Sequence, residues 1–124
     1  MKKSKFNAKK TACNYCDKLH DSKKEAMRCN ELHEMEKSGE IRDLMVQPNF
    51  TLLPSHTYRT SRGKRMEREI KYIADFKYWQ GGVIVVEDVK SKATKKLPEY
   101  IIKRKLFQWI FCKDGNVEFF ENVR

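Results

Sequence analysis

The chain has no uninterrupted apolar run longer than four residues, the longest being 83–86 and 109–112, far short of the roughly 20 needed to cross a bilayer as a helix. A membrane-spanning helix is excluded. No hydrophobic stretch follows the basic residues up to Lys10, so no secretory signal is expected. The four cysteines are then expected in a reducing, cytoplasmic setting, as thiols or metal ligands rather than disulfides. Acid is scarce as well: 27 Lys plus Arg stand against 17 Asp plus Glu, a formal net charge of +10. The 124 residues leave room for one compact domain with a small appended module and exclude two full domains. Although 35% of the residues are charged, seven Phe, five Tyr and two Trp supply enough aromatic surface to argue against global disorder.

The positive charge is clustered. Residues 1–10 carry five Lys and no acid. Residues 58–71 carry Arg59, Arg62, Lys64, Arg65, Arg68 and Lys71 against Glu67 and Glu69, and residues 90–105 carry seven bases, including Lys103, Arg104 and Lys105, against Glu99 alone. These three segments hold more than the whole net charge, so the remainder is net acidic. Clustering of this kind favours a polyanionic partner, because each base seated on a phosphate releases condensed counterions. The plainer alternative is a solvated basic surface.

Local signals divide the chain into a basic arm (1–12), a segment with metal-ligand spacing that merges into a first helix (13–39) and a core (40–124). Ser22 is a helix N-cap with Glu25 three residues on as its capping-box partner, and Gly39 is the expected C-cap. A short element over 41–46 precedes a strand at 50–53 stopped by Pro54, and 55–66 reads as a mobile basic loop. Ile70, Tyr72, Ala74, Phe76 and Tyr78 alternate at period two, residues 83–89 are rich in β-branched side chains, and Gly81-Gly82 makes the hairpin turn between them. A second helix is expected over 99–111 and a last strand over 117–120. The result is an α/β chain with a small mixed sheet flanked by helices.

A two-residue turn at Gly81-Gly82 puts Asp75 opposite Asp88 and Ile73 opposite Lys90. Like charges directly across a ladder are destabilising, and a hard divalent cation, Mg²⁺ or Mn²⁺, would offset them. Side-chain alternation gives Asp88 and Lys90 one face of the strand and Glu87 and Val89 the other. A three-residue turn would bring Glu87 opposite Asp75 instead, which keeps Glu87 as a reserve ligand. Equally, these charges can decorate a solvent-facing hairpin.

Asp75, twelve intervening residues and Asp88-Val89-Lys90 at the end of an apolar strand resemble the signature of the PD-(D/E)XK nucleases. The stretches Asp21-Ser22-Lys23-Lys24-Glu25-Ala26, Gly39-Glu40-Ile41 with Leu44 and Gln47, Tyr72-Ile73-Ala74-Asp75-Phe76, Val86-Glu87-Asp88-Val89-Lys90 and Ile102-Lys103-Arg104-Lys105-Leu106-Phe107 are similar to a phage-encoded branch of that superfamily related to junction-resolving endonucleases. The resemblance implies a restriction-endonuclease-like core, with Asp75 and Asp88 as Mg²⁺ ligands, Lys90 as the catalytic lysine and Glu25 as the acid supplied by the first helix. It also implies a host-cell cytoplasmic setting and DNA, including branched DNA, as partner. Ala74 replaces the proline of the family signature. Glu25 is also explained by the capping box alone. Lys90, beside two carboxylates, is expected to stabilise charge in the transition state or position water rather than act as a base.

Cys13-x₂-Cys16, twelve residues, then Cys29-x₃-His33 has the ligand spacing of a ββα zinc finger with cysteine in place of one histidine. Zn²⁺ on Cys13, Cys16, Cys29 and His33 is the expectation, with His20 as spare ligand; three buried thiols and a surface histidine are the alternative. Cys112 reads as a core thiol. The leading expectation is a Mg²⁺-dependent endodeoxyribonuclease working in DNA recombination or replication as a homodimer, because symmetric cleavage of two strands needs two sites, with Trp109 and Phe119 as contact candidates for which core packing is the favoured alternative. Arg59, Arg62, Lys64, Arg65, Lys103, Arg104 and Lys105 would track DNA. The rivals are a non-catalytic zinc-containing DNA-binding protein and an interaction domain whose hairpin charges are incidental.

Overall fold

A computed structural model describes residues 10–16 and 19–124, so most of the expected basic arm, residues 1–9, lies outside the described residues. Two short paired strands, β1 (Thr11–Ala12) and β2 (Leu19–His20), precede helix α1 (Lys23–Ser38). Six strands follow: β3 (Arg42–Val46), β4 (Asn49–Leu53), β5 (His56–Thr60), β6 (Gly63–Glu67), β7 (Ile70–Ile73) and β8 (Phe76–Gln80). The chain ends with β9 (Val83–Lys90), a 3-10 turn (Thr94–Lys96), helix α2 (Pro98–Phe111) and β10 (Val117–Val123). Thr11 and Ala12 are therefore strand residues, not part of an arm.

The centre is a four-stranded mixed sheet ordered β10-β9-β8-β3. Gly81 and Gly82 adopt φ of 59° and 81°, the pair of left-handed conformations a two-residue hairpin turn requires. Gln80 consequently faces Val83 and Phe76 faces Glu87. β10 lies parallel to β9, the arrangement that a helical crossover through α2 permits. β9 is buried continuously from Val85 to Val89, which suits its unbroken apolar start, Val83-Ile84-Val85-Val86. On one side α1 packs Cys29 and Leu32 against Ile41, Phe76, Tyr78, Val85 and Val89. On the other, Tyr100 and Phe107 of α2 pack with Leu52, Tyr72, Ala74 and Val86.

Helix α1 has the expected boundaries. The Ser22 side chain accepts the Glu25 N–H at 3.1 Å, and Gly39 terminates the helix at φ 84°. The alternating stretch 70–78 is not one strand, however. It breaks at Ala74-Asp75, where the Ala74 N–H reaches the Pro48 carbonyl (3.1 Å) and the Gln47 N–H reaches the Asp75 carbonyl (2.8 Å). Two antiparallel partners bend together there, β3 and β4 at Gln47-Pro48 and β8 and β7 at Ala74-Asp75. Tyr72 and Ala74 thus face the α2 core while Phe76 and Tyr78 face the α1 core. The period of two survives the bend, which is why the sequence pattern runs across it. In consequence β7 pairs with β4, and Ile73 faces Asn49 rather than Lys90.

Residues 55–66 are likewise not a loop. β5 and β6 form an antiparallel hairpin with every residue exposed. Its turn is secured by Thr60 Oγ1, which accepts the Arg62 N–H at 3.1 Å and donates to the Gly63 carbonyl at 3.0 Å. Among the described residues no helix is long and apolar enough to cross a membrane.

Candidate active site

The bend at Ala74-Asp75 aims Asp75 across the sheet instead of along it. Its N–H donates to the Glu87 carbonyl (3.1 Å), and its Oδ2 accepts the Val89 N–H at 2.7 Å. Asp88, one residue before Val89, is buried and accepts a hydrogen bond from the Tyr72 hydroxyl. Lys90 Nζ stands 3.2 Å from Asp88 Oδ1. From the first turn of α1, Glu25 enters buried, its Oε2 accepting the Asp21 N–H at 2.6 Å. The Asp75 carboxyl interacts with those of both Glu25 and Asp88, so Glu25, Asp75 and Asp88 form a row of three interacting carboxyls.

Enclosure governs the chemistry of that row. Burial, reinforced by Glu25, pushes the Asp75 carboxyl up to about 8. Burial and then the charge of Asp75 hold Asp88 well above the ordinary carboxylate range. Burial also raises Glu25, against the lowering effect of its bond with Asp75. A row of this kind retains protons unless a cation supplies the opposite charge.

Asp88 and Lys90 do share a face, as strand alternation predicts, and they open into a cavity of about 340 Å³ lined also by Lys71, Tyr72, Tyr100 and Lys103. Lys90 Nζ lies 4.5 Å from the centre of the Tyr100 ring, and Tyr100 is held by its hydroxyl on Glu121 at 2.7 Å. Lys103 is paired with Glu99 at 3.2 Å. Arg104 is turned toward the same ring at 5.9 Å, whereas Lys105 is exposed. Among Lys71, Tyr72 and Tyr100, Tyr100 is the residue that sequence reasoning missed; Lys71 stood in the basic segment 58–71, and Tyr72 in the alternation and in the stretch Tyr72-Ile73-Ala74-Asp75-Phe76.

Glu87 must be removed from the reserve ligands. The two-residue turn points it to the α1 side, where it is fully buried and bound by Arg28 Nε (2.7 Å), Arg28 Nη2 (3.0 Å), the Tyr78 hydroxyl (2.7 Å) and Asn122 Nδ2 (3.0 Å). Its acceptor capacity is spent on that network.

A second cluster lies at the N-terminal end of α1. Cys13, Cys16, His20 and Cys29 bring four ligand atoms within 4.8 Å of one another and can hold a zinc ion. This is the sole such group of three or more among the described residues. The sulfurs of Cys13 and Cys16 are 3.0 Å apart, those of Cys13 and Cys29 3.2 Å, and those of Cys16 and Cys29 3.8 Å. His20 Nε2 is 3.4 Å from the Cys16 sulfur. Burial works to raise the Cys13 thiol, but hydrogen bonds with Cys16, His20 and Cys29 outweigh it and bring the thiol down to about 7. Burial and the two neighbouring sulfurs push Cys29 up.

The fourth member of this cluster is thus His20 rather than His33. His33, i+4 from Cys29, brings its Nδ1 to 3.5 Å from the Cys29 sulfur and 2.8 Å from the Cys29 carbonyl and stacks its ring on Tyr15 with centroids 5.0 Å apart, but it lies outside the group of four. His20 reaches the cluster because β1–β2 pairing, with Thr11 facing His20, folds the chain back over the Cys13-x₂-Cys16 turn. Cys112 is half-buried at the edge of the α2 core, as expected of a core thiol. Phe119 packs against Tyr72 and Phe107 and is not free for a dimer contact, whereas Trp109 is 67% exposed. Arg59, Arg62, Lys64 and Arg65 are carried by the exposed β5–β6 hairpin, Arg59 paired with Lys64 on one face and Arg65 on the other opposite Tyr58.

A family model described as a protein of unknown function (DUF1064) matches residues 3–119. No curated protein and no solved structure matches the chain.

Proposed function

We propose that this chain, which belongs to the DUF1064 family, is a Mg²⁺-dependent endodeoxyribonuclease of the PD-(D/E)XK type. The observation that carries the reading is the placement of Asp75, Asp88 and Lys90. Two enclosed carboxyls stand side by side where a strand bends, and a lysine sits 3.2 Å from one of them at the mouth of a cavity edged by Lys71 and Lys103. Both the resemblance in sequence and the chemistry of the donors support it. The ion's fit rests on the carboxyl row: two acids too enclosed to ionise together without a counter-charge suit a hard cation that takes one or two carboxylates and keeps its remaining positions for water and phosphate.

Asp75 and Asp88 would hold Mg²⁺, which when bound supplies Lewis-acid polarisation of a phosphoryl oxygen and makes water nucleophilic at neutral pH. Tyr72 fixes the rotamer of Asp88 through its hydroxyl. The Val89 N–H fixes Asp75. Lys90 presents N–H donors to the charge that develops on the phosphate oxygens, and Lys71 and Lys103 neutralise flanking phosphates. The β5–β6 hairpin, with Arg59, Arg62, Lys64 and Arg65, would extend this basic surface along the duplex. The exposed Ile102, Leu106, Trp109 and Ile110 of α2 would meet a second copy, supplying the paired sites that cleavage of two strands requires. The Cys13-Cys16-His20-Cys29 cluster would hold a structural Zn²⁺ that ties the N-terminal segment to α1. That cluster alone favours the alternative of DNA binding without cleavage, which leaves the enclosed acids beside a phosphate path without a purpose.

Incubation with supercoiled plasmid and with a four-way junction, with and without Mg²⁺, tests the reading. Mg²⁺-dependent cleavage that Asp88→Asn abolishes is the expected result. No cleavage of either DNA in Mg²⁺ or Mn²⁺, or an Asp88→Asn protein that cuts at the wild-type rate, overturns it.

A further inference from the structure

His20 lies between the two clusters, against Cys16 on one side and Glu25 on the other. It is fully buried. Its Nε2 faces the Cys16 sulfur at 3.4 Å, while Nδ1 has no hydrogen-bond partner and stands 3.7 Å from Glu25 Oε1. A buried ring nitrogen without a partner is costly and calls for explanation. Of the sulfur separations, that of Cys16 and Cys29, 3.8 Å, equals the ~3.8 Å edge of a tetrahedron with zinc–sulfur bonds of ~2.3 Å, and the other two, 3.0 and 3.2 Å, are shorter and would open on ligation. An imidazole that ligates through Nε2 carries its proton on Nδ1, and metal-bound histidines direct that proton to a carboxylate or carbonyl. The carboxylate oxygen in line here is Glu25 Oε1. Its other oxygen is already committed to the Asp21 N–H, and the same carboxyl interacts with that of Asp75.

We propose that His20 is a positioning residue that couples a Cys13-Cys16-His20-Cys29 zinc site to the acidic row: ligated through Nε2, it donates Nδ1–H to Glu25 and so orients the carboxyl that abuts Asp75. The two metal sites are then one connected unit, and the N-terminal ribbon is part of the active-site support. By the reciprocity of linkage, Glu25 strengthens zinc binding as much as zinc orders Glu25. The effect on cleavage rests on the nuclease reading; the effect on zinc affinity does not.

Zinc affinity is therefore the first measurement, by competition with a chromophoric chelator, on wild type, Glu25→Gln, Glu25→Ala and Glu34→Gln, the last altering an exposed acid of the same helix. Glutamine at position 25 can still accept the Asp21 N–H, which protects the helix start. Both changes at Glu25 are expected to weaken zinc by about 10- to 100-fold, the usual cost of losing a carboxylate behind a ligating histidine, with Glu34→Gln unchanged. In ¹⁵N-histidine-labelled protein the His20 Nδ1 proton is expected to resist exchange and to shift in Glu25→Gln. His20→Cys keeps four ligands but cuts the link, so it is expected to retain zinc and lose kcat on plasmid DNA with little change in KM. Folded Glu25→Gln with wild-type zinc affinity and an unmoved proton signal overturns the coupling, as does His20→Cys with wild-type kcat. Should the wild-type protein cleave nothing, the nuclease reading fails while the zinc measurements still decide the coupling.

Discussion

Arg28→Met is expected to destabilise the protein strongly while touching no residue of the acidic row. Glu87 is wholly buried on β9, and Arg28 of α1 supplies two of its four hydrogen bonds, at 2.7 and 3.0 Å, together with its only counter-charge among them. Methionine keeps most of the apolar stem and removes the charge, leaving a buried carboxylate with two neutral donors, Tyr78 and Asn122. Breaking a buried pair by removing one partner costs about 3–5 kcal/mol. The two surviving donors put the expected loss at the lower end, about 3 kcal/mol, which for a chain of this size corresponds to a drop of about 10 °C in Tm. Urea unfolding at pH 7, followed by far-UV circular dichroism, measures it. Arg28→Met/Glu87→Gln removes the stranded charge and is expected to recover about 1–2 kcal/mol of the loss. An Arg28→Met protein within about 1 kcal/mol of wild type, or a double variant no better than the single one, would refute the account. The pair also matters to the site, since it clamps the helix carrying Glu25 to the strand carrying Asp88.

Without added divalent cation, Tm should fall as pH rises from 5 to 8.5: Asp75 titrates at about 8 in the folded chain against an ordinary 3.8, so its contribution is full below pH 4 and lost through pH 8. Asp75→Asn or millimolar Mg²⁺ should flatten that fall, and a pH-independent wild-type Tm would contradict it. Lys90→Ala should lower the cleavage rate by roughly 10²-fold or more with little change in DNA affinity; a loss confined to affinity would make Lys90 a phosphate clamp. Replacing Arg59, Arg62, Lys64 and Arg65 with Gln should reduce the log–log salt slope of DNA binding by about 0.9 for each phosphate no longer neutralised at unchanged Tm, and an unchanged slope would remove the hairpin from the interface.

Short-range chemistry was legible in the sequence by itself. Ser22 and Gly39 bound α1 because caps act within one helical turn. Gly81-Gly82 determines the β8–β9 register, because two positive φ angles admit one hairpin geometry, and alternation along β9 gives the shared face of Asp88 and Lys90 and the opposite face of Glu87. What only the tertiary structure decided depends on groups distant in sequence. Alternation over 70–78 has the same period on either side of the bend, so it could not reveal that Gln47-Pro48 and Ala74-Asp75 fold together and turn Asp75 toward Glu25. Nor could strand alternation reveal that Arg28, 59 residues away, occupies Glu87. The choice between two histidines shows the same division. Spacing from Cys29 favours His33, whose Nδ1 reaches the Cys29 sulfur at 3.5 Å but also its own helix's Cys29 carbonyl at 2.8 Å, while the short β1–β2 pairing carries His20 in among all three sulfurs.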